Sequence, residues 1–278
     1  MTYLKVPMLT TVLFFGLCSC SEKKKATEDE NVVENQIDLT SPEDLLAATE
    51  KATGGWTDII NKKDVAYHYE YTVTNGKADI STERYIFNNE ISYGSYTRHE
   101  INTLPTESGP VTHLFDGERT KVTLNDNPVA DERSVAIAQF VRRANYFWFV
   151  MPYKLNDPGT ISTYLGKETH EGIPYSKIKV TYDPEITGKA ENDIYILYIN
   201  PETFLIDRFY FSLPFLGIKA PVIIAEYNYN KVEGQLLATE RNYFLPNAQG
   251  AYDAVPSITQ KLSQITFNNG FTVGNITK

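Results

Sequence analysis

From residue 65 onward the sequence keeps one cadence, and it leaves little room for anything but a large antiparallel sheet. In "VAYHYEYTV" (65–73) Val65, Tyr67, Tyr69, Tyr71 and Val73 alternate with His68, Glu70 and Thr72, the period-two pattern of a half-buried strand. Asn75-Gly76 follows, a strong hairpin signal. Strand-like runs then recur as "ADISTERYIF", "EISYGSYTRHEI", "VTHLF", "ERTKVTL", "YSKIKVTY", "DIYILYI", "FLIDRFYF", "VIIAEYNYN", "LLATERNYF" and "LSQITFNN". Most are separated by turn residues such as Asp116-Gly117, Asn200-Pro201, Glu233-Gly234 and Asn269-Gly270. The 19 Tyr and 14 Phe suit this reading, because aromatic side chains pack well on a pleated surface. Short turns between successive strands predict antiparallel neighbours in a meander. No internal repeat and no linker interrupts residues 41–278, so one domain is expected there.

Two helices break the pattern. "SPEDLLAATEKATGG" (41–55) carries its own ends: Ser41 to cap, Pro42 for the first turn, and Gly54-Gly55 to stop. "WTDIINKK" (56–63) adds a short helical turn. "DERSVAIAQFVRRANYFWFVM" (131–151) places Ile137, Phe140, Val141, Ala144, Phe147, Trp148 and Met151 on one stripe, expected to pack on the sheet, with Pro152 as its stop. At about 100° per residue, Tyr146, Phe149 and Val150 point the other way. The last turn is therefore apolar nearly all round and calls for a second apolar surface. The unpatterned stretch "FSLPFLGIKAPV" (211–222), expected as a loop, offers one through Phe215 and Leu216.

The start of the chain reads as a targeting segment. In "MTYLKVPMLTTVLFFGLCSC" Lys5 precedes an apolar run too short to span a bilayer, which takes about 20 apolar residues. "LCSC" resembles a bacterial lipobox, which implies a signal peptide over 1–19 and lipidation of Cys20. Residues 20–40 then form a charged tether free of aromatics. Cys18 and Cys20 are the only cysteines, so no disulfide is expected to staple the fold.

Composition and motifs exclude much. The net charge is −9, and loss of the leader removes a further positive charge, which argues against nucleic acid as a partner. "LGKET" (165–169) lacks the first Gly and the hydroxyl residue of a phosphate-binding loop. The four histidines are scattered and none stands at zinc-ligand spacing. No serine lies in a nucleophile elbow. His68 and Glu70 share a strand face, the ordinary dress of a solvated surface. No cofactor, metal or catalytic residue is expected.

The order of elements resembles the LolA/LolB/LppX superfamily of lipoprotein carriers and lipid-binding lipoproteins. "LFDGERTKVTL" (114–124) is similar to a strand–turn–strand of these proteins, and "DIYILYINPETFLIDRFYF" (193–211) to a later hairpin. The resemblance implies an α+β fold dominated by a strongly curved antiparallel half-barrel. An N-terminal and a mid-chain helix would cover its concave face. Together with the lipobox, it implies a lipid-anchored protein of the bacterial envelope, at the outer membrane, that binds a lipid or acyl-bearing ligand and takes part in lipid or lipoprotein transfer; LolA carriers themselves are unlipidated. Candidate lining residues are Tyr67, Tyr69, Tyr71, Tyr146, Phe149, Val150, Phe215 and Leu216. The rival expectation is a scaffold or protein-binding lipoprotein with a solid aromatic core.

Overall fold

The computed structural model describes residues 37–278. The signal peptide, Cys20 and most of the tether lie outside the described residues. The chain enters through α1 (Pro42–Thr53) and α2 (Trp56–Asn61). Ser41 Oγ accepts the N–H of Asp44 at 3.1 Å, and Gly54 closes α1 at a φ of 120°, where a side chain would be strained. Just before α1, Leu39 packs on the core and its carbonyl accepts from Ser176 Oγ.

The first strands follow as β1 (Asp64–Val73), β2 (Ala78–Ile86), β3 (Ile91–His99), β4 (Val111–Phe115), β5 (Thr120–Leu124) and β6 (Asn127–Pro128). Helix α3 (Glu132–Lys154) separates them from β7 (Thr160–His170) and β8 (Ile173–Tyr182). A short α4 (Pro184–Thr187) precedes β9 (Tyr195–Ile199), β10 (Ile206–Leu213), β11 (Ile218–Val232), β12 (Gln235–Phe244) and β13 (Ile258–Phe267). All thirteen strands form one open antiparallel sheet in the order β6-β5-β4-β3-β2-β1-β13-β12-β11-β10-β9-β8-β7.

The sheet must curve, and α3 shows by how much. Phe149 stacks on Tyr67 of β1, centroids 5.3 Å apart, and meets Tyr85 of β2 edge-on at 5.8 Å. The neighbouring Trp148 meets Tyr195 of β9 and stacks on Phe209 of β10. Strands β2 and β9 stand six places apart, about 29 Å in a flat sheet at about 4.8 Å per strand. A helix is only about 10–12 Å across. Both ends of that span touch one helix turn, so the sheet wraps around α3 as a half-barrel.

Two local expectations are corrected, and one strand is added. Helix α3 does not stop at Pro152: Val150 leaves helical geometry (φ −108°, ψ 15°) and the helix runs on to Lys154. Proline lacks the N–H that would bond the carbonyl four residues back, so the helix bends there and need not end. Residues 211–222 are no free loop. Pro214–Leu216 form one 3-10 turn at the tip of the β10–β11 hairpin, and Ile218 already pairs with Leu213. Strand β7 lay hidden because its apolar Ile161 and Leu165 face solvent while Ser162 and Tyr164 are half-buried, inverting the usual alternation.

Candidate functional site

Between α3 and the sheet lies a cavity of about 160 Å³. Its helix wall is Phe140, Val141, Ala144 and Trp148, the stripe expected to pack on the sheet. Tyr146, Phe149 and Val150, expected to meet a second apolar surface, are buried with Tyr67 in an aromatic core built on β1, β2 and β13, separate from the cluster that holds Met151, Phe147 and Trp148. Phe149 borders only a void of about 10 Å³, the room of a single water. The reason is the wrap of the sheet. Strands close on the helix from both sides, so the two faces are distinguished by how tightly β1 and β2 pack.

What holds α3 at that height is a buried ion pair. Arg142 Nη1 donates to Glu83 Oε2 at 2.5 Å, and Nη2 to Glu83 Oε1 and the Tyr96 hydroxyl at 2.8 Å each. Ser81 and Tyr85 donate to the same carboxylate, and Tyr67 bonds Tyr85. Both charged side chains are fully buried. Gly94 of β3 makes room: a Cβ there would stand 2.6–2.8 Å from the Arg142 guanidinium. Beside it, burial first and then the Arg142 charge hold the His113 imidazole well below its usual range, so it is neutral.

The remaining walls are of two kinds. Toward the hairpin tip the lining is apolar, with Leu213, Leu216 and Ile218. Leu216 and Phe215 are both more than half exposed, and Phe215 stacks on Phe140 at 4.2 Å, so the tip lies over the helix. Deeper in, Tyr69, Tyr71, Asp79, Asn102, Asn145 and Gln260 give the cavity a polar end. Asp79 accepts from the N–H groups of Ile101 and Asn102 at 2.9 Å and from Asn102 Nδ2 at 3.1 Å. Burial raises its pKa against those hydrogen bonds. Burial likewise raises Tyr69 and Tyr71, which remain protonated hydroxyls. The Tyr69 hydroxyl and Asn145 Nδ2 have no hydrogen-bond partner among the described residues.

Of the residues singled out from the sequence, Tyr69, Tyr71 and Leu216 line the cavity, Phe215 adjoins it through Phe140, and Tyr67, Tyr146, Phe149 and Val150 belong to the packed core. Asp79, Asn102, Asn145, Gln260 and the Arg142–Glu83 pair were not anticipated. The signal for them was faint: β2 turns Asp79, Ser81, Glu83 and Tyr85 inward, a face too polar to read as core. The chemistry such a cavity supports is uptake of a small apolar group beside hydrogen-bonding groups, the usual make-up of a ligand pocket.

The fold is similar to that of solved LolA-type proteins. A candidate outer membrane lipoprotein-sorting protein domain from Vibrio parahaemolyticus superposes with a TM-score of 0.50 at 8% identity, covering 86% of this chain and 97% of that one. A LolA superfamily protein from Nitrosomonas europaea gives 0.50 at 14% identity, covering 86% and 98%. No curated protein matches the sequence. The model of a family of unknown function, DUF6503, matches residues 58–217, more than half of the chain, and the protein belongs to that family.

Proposed function

We propose that this protein is a non-enzymatic lipoprotein of the bacterial envelope, anchored through lipidated Cys20 to a membrane, most often the outer one, and holding an acyl-bearing ligand between α3 and the half-barrel. The observation that carries the reading is the cavity itself, walled by Phe140, Val141, Ala144 and Trp148 at the point where the helix stands off the sheet. The LolA-type fold supports it, since the Vibrio relative is named for lipoprotein sorting. Division of the chain into leader (1–19), lipidated tether (20–40) and binding domain (41–278) belongs to the same proposal. Its size limits the occupant. An apolar void of about 150 Å³ accepts a molecule like benzene, so about 160 Å³ takes part of one acyl chain and not a diacyl lipid.

Native mass spectrometry of the chain without residues 1–20 is the test. Co-purified lipid in the wild type and its loss in Ala144→Trp, which fills the cavity from the helix side, is the expected result. Ligand-free protein in repeated preparations, with no uptake of a fluorescent acyl probe, would overturn the reading and leave a scaffold with a filled aromatic core.

A further inference from the structure

Behind the polar end of the cavity, on the far side of Gln260, lies a charge that no carboxylate among the described residues balances. Strand register sets four inward residues in one row across the sheet: Asp79 on β2 pairs with Tyr71 on β1, Tyr71 with Gln260 on β13, and Gln260 with Arg241 on β12. Asp79, Gln260 and Arg241 are all buried, Arg241 to 2% exposure. Arg241 donates from Nε to the Ala238 carbonyl at 3.0 Å and from Nη1 to Gln260 Oε1 at 3.5 Å, and lies over the Tyr227 ring at 5.6 Å. Among the described residues no carboxylate pairs with it. The fully buried Arg142, by contrast, has its bidentate Glu83. Buried charges are ordinarily paired, because an uncompensated one is costly.

A second, independent observation points to the same missing group. The residues Tyr69 and Asn145, 4% and 8% exposed, both line the cavity, and the Tyr69 hydroxyl and Asn145 Nδ2 both lack a partner among the described residues. Each can donate a hydrogen bond. Gln260, which also lines the cavity, is the residue through which Arg241 touches it. Two unused donors and an unbalanced cation ask for an acceptor that carries negative charge. Among the described residues Asp79 is the one carboxylate in the cavity wall. Its oxygens are engaged by residues 101–102, and it stands three strands from Arg241, about 14 Å at about 4.8 Å per strand. The tail end is fixed by register as well: Tyr243 pairs with Ile258 one step nearer the hairpin tip, where Leu216 and Ile218 lie.

We infer that the ligand is a single-chain amphiphile with an anionic oxygen head, held by Tyr69, Asn145 and Gln260 in the field of Arg241, with its chain directed toward Leu216 and Ile218. The inference rests on the proposed acyl-binding function. Four probes of equal chain length separate the two: palmitate, hexadecyl phosphate, methyl palmitate and hexadecyltrimethylammonium, titrated onto the purified chain with Trp148 as the fluorescent reporter in Trp56→Phe. The expected result is that palmitate, hexadecyl phosphate or both bind at least tenfold tighter than the ester and the ammonium. Which of the two anions binds tighter assigns the head as carboxylate or phosphate. Arg241→Gln should erase that preference while keeping ester binding. Tyr69→Phe, which removes an unpaired hydroxyl and leaves the ring, should reduce it several-fold without loss of thermal stability, and it serves should Arg241→Gln fail to fold. Equal binding of anion, ester and ammonium overturns the head-group assignment and leaves acyl binding standing. Failure of all four overturns both.

Discussion

Gly94→Ala is the smallest change that tests how α3 is fixed. The added methyl would stand 2.6 Å from Arg142 Nη1 and 2.7 Å from Cζ, well inside contact distance. Arg142 cannot retreat freely, since two bonds tie it to Glu83 and a third to Tyr96. Either the sheet gives way, at about 1–3 kcal/mol for overpacking, or the guanidinium moves and loosens a pair whose rupture costs about 3–5 kcal/mol. We expect a loss of about 2–3 kcal/mol in urea unfolding with an unchanged denaturant slope, a melting point lower by about 4–12 °C for a domain of this size. Arg142→Met should cost about 3–5 kcal/mol by stranding Glu83. The double variant decides the matter. With the guanidinium gone the methyl has room, so Gly94→Ala should cost under about 1 kcal/mol on the Arg142→Met background, a coupling of about 2 kcal/mol. Additive losses, within about 0.5 kcal/mol, would refute the account of Gly94 as the space for Arg142.

Acid sensitivity provides another check. His113 titrates near 6.5 in the unfolded chain and well below that when folded, held down by burial and then by Arg142. Between those values the unfolded state binds a proton that the folded state does not, so stability falls as pH drops below 6.5, by up to about 1.4 kcal/mol per pH unit. His113→Asn should flatten the difference in unfolding free energy between pH 6.5 and 5.5, and an unchanged slope would disprove it. Phe149→Ala, in the packed core against Tyr67 and Tyr85, should cost about 3–5 kcal/mol in the same assay. Val141→Ala, on the cavity wall, should cost under about 1.5 kcal/mol while changing uptake of an acyl probe. The reverse ranking would place the ligand on the other face of α3.

The strands were legible wherever one face was apolar and one polar, and Asn-Gly, Asp-Gly and Asn-Pro marked their ends. Helix α1 was legible from Ser41, Pro42 and Gly54 alone. Strand β7 was not, since an edge strand with Ile161 and Leu165 outward gives no inward stripe to read. The site was harder. Periodicity divides α3 into two faces but cannot say which of two apolar surfaces closes down on it. That depends on Tyr67, Tyr85 and Phe149 fitting together, and on a salt bridge joining residues 83 and 142, 59 positions apart. Long-range complementarity of this kind leaves no local trace.

The strand order also fixes when this protein can come into being. Strands β1–β6 form one meander and β7–β12 another, and among the described strands the two are joined in the sheet only through β13. That keystone comes after all twelve of the other described strands in the chain. Until residues 258–267 are in place, β1 and β12 present raw edges and the half-barrel cannot close around its helix. Pairing residue 65 with residue 267 is a highly non-local contact, the kind that makes folding slow. A chain ending short of Ile258 should therefore yield two sticky half-sheets and no smaller version of the native fold.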